Sequence, residues 1–446
     1  MMERYYDPLI FNQTLDGINL SRHIVATYYV EDAVPGEEFL DHFALIQSMA
    51  LEGSTGTWEK VEEDSEEVRE RLSGKMVGYY PVPSEKNVKK AVIQLAFSID
   101  AWQVNIPMIL LSISGNCFAY SPRMRLLDVF FPEDLVKTFK GPKFGVSGIR
   151  KLLGIPKRPL SLHIIKPKMG MTPEQTAEQV YKTALGGVDM VKDDEMISEV
   201  YNSKFEPRLK AVLDALNRAK NKTHKEVIYF VSITDEVNKV FDKARRAIEL
   251  GANGLLLAYS AGPSVLRVLA EDPEINVPIL LHPSHMISMT PRISWPVMAR
   301  ICRLCGADLM LTPTYWSTIP MVSLEEGIRT AQVKLAPFYH IKRTWPMPAA
   351  GMYPGLTPVL VREYGCDIVI PAGGGMLGHP MGYTAGARAW QQAIEATMDE
   401  LPLGQAAKNK PELKAALEKW GTIQRPETLW LRAGPQYHPK PGKTNG

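Results

Sequence analysis

The chain has 446 residues, 45% hydrophobic and 22% charged, with 51 Lys and Arg against 49 Asp and Glu for a formal net charge of +2. That length and apolar content are enough for two domains with full cores and exclude a disordered chain; the even charge balance, with no long Lys/Arg tract, gives no case for a nucleic-acid or membrane partner. Four cysteines are too few to staple so long a chain, the N-terminus MMERYYDPLIFNQTL lacks the apolar core of a signal peptide, and no apolar run reaches membrane-spanning length, so the cytoplasm is the expected location.

Residues 1–145 read as an α+β domain of open-sheet type. The pattern predicts a strand HIVATYYVE (23–31), a helix GEEFLDHFALIQSMALEG (36–53), strands near 74–82 and 88–99, and a helix near 106–115. Within it, EGSTGTW (52–58) is a loop of small residues where Thr57 can donate to an anion, and Asn116 in SGNCF suits either a ligand-orienting role or a simple turn.

From about Pro159 one theme repeats eight times, a short apolar strand followed by a longer helical stretch. The predicted strands are 160–168, 188–195, 226–234, 254–262, 277–285, 307–315, 344–351 and 367–375. Between them, TPEQTAEQVYKTALGG (172–187) opens with a Thr cap and Pro, and DEVNKVFDKARRAIELG (235–251) has acids first and Gly last, both signatures of helix ends. Eight such units close naturally into a (β/α)8 TIM barrel over residues 146–430, an α/β catalytic domain. Cys302 and Cys305 form a CxxC inside the apolar-periodic PVMARICRLCG with no second ligand pair, so core packing is expected of them. Beyond Leu401 the chain reads as helical to about Trp420, and 431–446 as a flexible Pro/Gly-rich tail.

Barrels of this kind carry their chemistry at the C-terminal ends of the strands, and the charged residues of this chain collect there. Strand 2 ends in KDDE. Alternation puts Lys192 and Asp194 on one face, with Glu195 at the strand end, a set able to hold a hard divalent cation through oxygen if the Lys192 amine takes up carbon dioxide as a carbamate. Strand 1 ends in KPK. Lys166 and Lys168, two apart, face the same side, and repulsion between close ammonium groups favours one of them giving up its proton and serving as a general base. His282 and His285 end strand 5. AGGGMLGHP (372–380) is a glycine turn before a helix, an arrangement that offers backbone N–H groups to phosphate, with Gly351 at the end of strand 7 beside it.

Together these residues resemble the ribulose bisphosphate carboxylase large-subunit superfamily, along a match running from EGSTGTW through SGN, FPED and GPKFG to IIKPKMG, GGVDMVKDDE and GGGMLGHPMG. The resemblance implies that carbamylated Lys192 binds Mg2+ with Asp194 and Glu195, and that Lys166 abstracts a proton with Lys168 beside it. It implies that Gly351, Gly373 and Gly374 hold one phosphate, and that His282 and His285 line the substrate site. It also implies that Glu52, Thr57, Trp58 and Asn116 are lent by a neighbouring subunit, so that the working unit is a homodimer or an assembly of dimers.

The departures are informative. Carboxylases of this family carry a lysine in a glycine-containing loop after strand 6, whereas YWSTIPMVSL (315–324) has neither Lys nor Gly. The His-Arg pair after strand 5 is replaced by Ser284 and His285, the strand-6 histidine by Leu311 and the strand-7 serine by Ala349, which removes most of the clamp for a second phosphate. This pattern resembles the RuBisCO-like proteins, form IV. They include a 2,3-diketo-5-methylthiopentyl-1-phosphate enolase, a 5-methylthioribulose-1-phosphate isomerase and decarboxylases of phosphorylated 3-oxo sugar acids, all acting through a metal-bound enolate. The salvage enolase has a lysine where this chain has Asn116 and lacks the full KPK, which favours the other two as models. The expectation is a Mg2+-dependent, non-carboxylating enzyme that enolises a small, singly phosphorylated keto sugar or keto acid, with isomerisation, tautomerisation or decarboxylation as the net reaction. The rivals are a genuine bisphosphate carboxylase and a non-catalytic scaffold that kept the fold. Trp316, Met321 and Met286 suit the core or a dimer contact better than an apolar substrate pocket.

Overall fold

The computed structural model describes residues 6–11, 13–31, 42–56, 61–84, 88–317 and 322–423. Two compact units divide the chain: Met1–Lys140 with Ile287–Ile301 and Tyr339–Ile341, and Gly141–Met286 with Cys302–Phe338 and Lys342–Gly446. The predicted tail, 431–446, lies outside the described residues.

In the first unit β1 (His23–Glu31), β2 (Lys75–Val82), β3 (Lys90–Ser98) and β4 (Arg125–Phe130) form an antiparallel sheet in the order β2-β3-β1-β4. The helix predicted for 36–53 is present as His42–Glu52, its first six predicted residues lying outside those described. The sequence reading omits β4. Its buried side chains, Leu126 and Val129, stand three apart, and β1 shifts register between Thr27 and Tyr28 to meet it, so the strand carries no period-2 signature.

The second unit contains all eight expected strands: β5 (Leu160–Ile164), β6 (Met190–Lys192), β7 (Ile228–Ser232), β8 (Leu255–Ala258), β9 (Ile279–His282), β10 (Leu309–Pro313), β11 (Trp345–Ala349) and β12 (Val369–Ala372). Neighbours pair in parallel from β5 to β11, β12 pairs with β5, and β11 packs beside β12, closing a (β/α)8 barrel. Every strand is shorter than predicted at its C-terminal end, because the residues there have left the ladder for the loops that carry the polar groups.

Alternate residues of the strands fill the barrel. Leu162, Met190, Phe230, Leu280, Leu309 and Trp345 belong to one buried cluster, which Val146 and Ile149 of helix Gly145–Leu153 join from the N-terminal side as a floor. The Asp308 carboxylate fastens this floor, accepting from Phe144 N and Gly145 N, both at 2.7 Å, and from Ile279 N at 2.9 Å. Helix Pro173–Leu185 starts at the predicted place, with a capping box between Thr172 and Gln175 and Pro173 in its first turn. The turn that follows needs glycine at 187, where φ is +94°. The stretch after Leu401 is two short helices, Leu403–Ala406 and Pro411–Trp420, joined by a 3₁₀ turn. Cys302 and Cys305 are buried, unbridged core residues.

One buried lysine lies away from the barrel mouth. Lys334, on helix Leu324–Leu335, donates to Met310 O at 3.0 Å and Thr312 Oγ1 at 3.2 Å on the outer face of β10, and burial pushes its amine down to about 7. Since the unfolded chain holds that proton to about pH 10.4, it binds more protons than the folded chain between about pH 7 and 10, and this residue's contribution makes stability rise with pH across that window. Lys334→Met is expected to flatten the slope and, below about pH 7, to relieve a penalty on the order of a few kcal/mol. Urea unfolding at neutral and alkaline pH checks this; an unchanged slope would contradict it.

Candidate active site

The residues after β6 divide by direction. Lys192, the last residue of the strand, is fully buried and aligned with the inward row that includes Met190. Asp193 turns the other way: its carboxylate accepts from Tyr229 OH at 2.7 Å and Ser232 N at 3.0 Å, and pairs with the buried Arg208 guanidinium at 3.3 Å. Asp194 and Glu195 return to the mouth. Alternation predicted this sorting from within a strand, yet the ladder ends at Lys192 and the loop does the rest.

Around Asp194 and Glu195 stand three lysines. Lys166 Nζ donates to Asp194 Oδ2, and Lys168 Nζ lies 3.9 Å from Asp194 Oδ1 and 3.8 Å from Glu195 Oε1. Lys192 Nζ donates to Asp193 O at 2.7 Å and stands 3.7 Å from Glu195 Oε2. Lys166 and Lys168 therefore converge, but not by strand alternation, since β5 ends at Ile164. What each meets first is a carboxylate, not the other ammonium as the sequence suggested. Burial pulls the Lys192 amine below the ordinary lysine range, against the opposing pull of Glu195 and Asp194.

His282 closes the group. Its Nδ1 accepts from Ser284 N at 3.2 Å, which leaves the proton on Nε2, facing Glu195 Oε2 at 3.3 Å. Burial first, then the neighbouring Lys192, holds this ring well below the usual histidine range, so it stays neutral. His285 sits on the same rim, exposed and with a left-handed backbone (φ 70°). Across the mouth, Gly373 precedes the short helix Gly374–Leu377. Met376 N and Leu377 N donate to Gly373 O, so the N–H groups of Gly374 and Gly375 have no acceptor within the helix. A Cβ on Gly374 would meet nothing within 4 Å, whereas one on Gly373 would lie 3.2 Å from Lys166 Cγ and one on Gly375 would strike Met352 O at 1.9 Å. Gly351 (φ 67°) follows Ala350 (φ 78°) on an exposed turn after β11.

Comparison with known proteins accounts for both units. The model of the ribulose bisphosphate carboxylase large chain, catalytic domain, matches residues 145–420, and that of its N-terminal domain matches 15–135. The chain belongs to this family. Within it, the chain is 39% identical to a ribulose bisphosphate carboxylase-like protein of Archaeoglobus fulgidus over 86% of this chain and 89% of that one. It is 32% identical to a 2,3-diketo-5-methylthiopentyl-1-phosphate enolase of Geobacillus kaustophilus over 90% of this chain and 98% of the enolase. The solved octameric ribulose-1,5-bisphosphate carboxylase/oxygenase of Pyrococcus horikoshii superposes with a TM-score of 0.84 at 28% identity, covering 97% and 98% of the two chains.

Two of the family's expected N-terminal site residues meet within the first unit. Glu52 ends its helix and accepts from Asn116 Nδ2 at 3.0 Å and from Tyr120 OH at 3.1 Å, a partner the sequence reading did not single out. Thr57 and Trp58 lie outside the described residues, as does Met321. Two of the departures from the family's carboxylases, Leu311 and Ala349, are apolar in place. Leu311 is 3% exposed in the barrel core, with Ala349 packed against that cluster. Met286 is buried, and Trp316 is held by its indole N–H on Glu363. Among the described residues, no group of three or more His, Cys, Asp or Glu is arranged to hold a metal ion, and no helix is long and apolar enough to cross a membrane.

Proposed function

We propose that the chain is a non-carboxylating, enolase-type enzyme of the RuBisCO family acting on a small, singly phosphorylated keto sugar or keto acid. The observation that carries this reading is the Lys166–Asp194 contact at the barrel mouth, a reachable amine held on a buried carboxylate.

The donor set fits Mg2+ on one condition. Asp194 and Glu195 supply two carboxylates, and the third oxygen ligand has to come from Lys192, whose buried amine, drawn toward its neutral form, is the species that adds carbon dioxide to give a carbamate. When bound, the cation would polarise the substrate carbonyl and ease loss of the adjacent proton. Lys166, acting as the neutral amine, would then take that proton: the C–H bond breaks, its electron pair moves into the carbonyl system, and the proton rests on Nζ, which becomes an ammonium. Returning it to another carbon gives a tautomer or isomer; in a decarboxylation the C–C bond breaks instead, carbon dioxide leaves, and Lys166 protonates the carbon left behind. Lys168 supplies a second positive charge beside the developing oxyanion, and the His282 N–H holds Glu195 in orientation. The N–H groups of Gly351, Gly373 and Gly374 would take the phosphate, and His285 would contact substrate from the rim. Glu52 and Asn116, with Thr57 and Trp58, would complete a neighbouring subunit's site in a homodimer or an assembly of dimers.

The alternative, a genuine carboxylase, has a specific deficit. The segment 315–324 contains no lysine, and the next lysine after β10, Lys334, is locked behind that strand. A scaffold role leaves the three lysines and two buried or half-buried carboxylates without a purpose, although buried charge costs stability. Proton NMR in D2O with Mg2+ and bicarbonate, across phosphorylated methylthio-ketoses, 3-oxo sugar acids and ribulose 1,5-bisphosphate, tests the reading. Deuterium uptake or decarboxylation of a monophosphate is the expected result; phosphoglycerate from the bisphosphate would overturn it.

A further inference from the structure

Lys166 stands where the barrel no longer holds the chain. The last ladder bond on this side is Ile165 N to Lys192 O, 3.1 Å, and residue 166 has no strand beside it to take up its own backbone groups. One side chain takes both. Gln179, on helix Pro173–Leu185 and only 4% exposed, accepts from Lys166 N through Oε1 at 3.3 Å and donates from Nε2 to Lys166 O at 2.7 Å. Because a backbone N–H only donates and a carbonyl only accepts, the two contacts fix which end of the amide is oxygen.

That orientation propagates inward. Gln179 Oε1 also lies 3.1 Å from His163 Nε2, which must carry the ring proton, so Nδ1 is the acceptor for Thr183 Oγ1 at 2.9 Å. His163 and Thr183 are both fully buried, and burial pushes the His163 ring down to about 3, so this arrangement keeps one protonation state throughout the neutral range. The far end of Lys166 is fixed separately, by Asp194.

We infer that Gln179 is a positioning residue for Lys166, clamping both backbone polar groups of residue 166 so that the amine enters the site from a fixed anchor. The inference rests on Lys166 being the group that moves the proton. Its physical content is geometric. A proton transfer needs donor and acceptor within hydrogen-bond reach, and a displacement of about 1 Å costs on the order of 100-fold in rate.

The test compares Gln179→Leu and Gln179→Glu with the wild type in the deuterium-exchange assay, together with a substrate-free measurement, the rate of amine acetylation at Lys166 relative to Lys168 read by mass spectrometry. Leucine removes both contacts. It is expected to lower kcat by about 10- to 100-fold with KM unchanged, and to raise Lys166 labelling relative to Lys168. Glutamate keeps the shape, and only its protonated carboxyl can both accept from Lys166 N and donate to Lys166 O. Its kcat relative to wild type is therefore expected to approach one at low pH and to fall as pH rises, a dependence that loss of packing does not produce and that survives as evidence should the leucine variant fail to fold. A raised KM with unchanged kcat, a glutamate variant without that pH dependence, or an unaltered labelling ratio would each overturn the clamp. Should the wild type exchange none of the substrates, the functional reading fails, and the labelling ratio alone decides whether Gln179 holds Lys166.

Discussion

Lys166→Met is expected to lower the rate of substrate deuteration by about 10²–10⁴-fold, the range a positioned acid–base group supplies, with Mg2+ binding and thermal stability retained. The three lysines of the cluster are not equivalent. Lys192 is fully buried with its amine turned onto Asp193 O, and Lys168 stands 3.9 Å from Asp194 and 3.8 Å from Glu195. Lys166 alone has its amine directly on the Asp194 carboxylate while its side chain remains 37% exposed, so it is both aimed and reachable. Methionine preserves the unbranched stem against Gly373 and deletes only the titratable end. Exchange persisting within about tenfold of wild type, less than the smallest factor a positioned base contributes, would remove Lys166 from the role and make Lys168 the next candidate.

The adjacent aspartates are expected to fail in opposite ways. Asp193→Ala should lower unfolding free energy by about 3–5 kcal/mol, because it strands the Arg208 guanidinium, itself fully buried, and leaves Tyr229 OH and Ser232 N without their acceptor. Arg208 also donates to Ser203 O at 2.7 Å and Ser198 O at 3.0 Å, so the loss reaches the loop that carries Glu195. Asp194→Asn keeps the volume and removes a charge that faces the mouth, where Lys166 and Lys168 can turn to water. The fold should hold while Mg2+ binding is lost. Urea unfolding and isothermal titration with Mg2+ separate the two; equal destabilisation, or Mg2+ affinity unaffected by Asp194→Asn, would contradict the division.

The barrel was legible because each strand is a short apolar run between turn residues, and the mouth because charged side chains ending such runs have few structural uses. Alternation set Asp193 apart from Asp194 in KDDE but gave no sign of what Asp193 would meet: its partners, Tyr229 and Arg208, are brought to it by folding, and the ladder ends at Lys192, before either aspartate. Gln179 had a fainter signal. Thr176, Gln179, Val180 and Thr183 fall on one buried helix face, three of them polar, which is unusual where a helix covers a sheet and marks a face that binds backbone as well as packing against it. Tyr120 offered none, since its contact with Glu52 spans 68 residues. β4 was missed for its lack of alternation.

Helix Gly145–Leu153 gives the barrel a floor, and that has a consequence for the order of events. Val146 and Ile149 close the N-terminal end of the packed barrel interior, so the polar groups at the strand ends open only toward the opposite side. Lys192 lies inward at the last rung of β6, 3.7 Å from the Glu195 carboxylate that His282 faces, and is fully shielded from solvent, whereas Lys166 and Lys168 are partly exposed. Under the proposed function, carbon dioxide is therefore expected to reach this amine before a phosphate ester seats itself across the glycines at the rim. Under the same reading, an ester that arrives before the amine is loaded delays the first turnover and leaves the later ones unchanged.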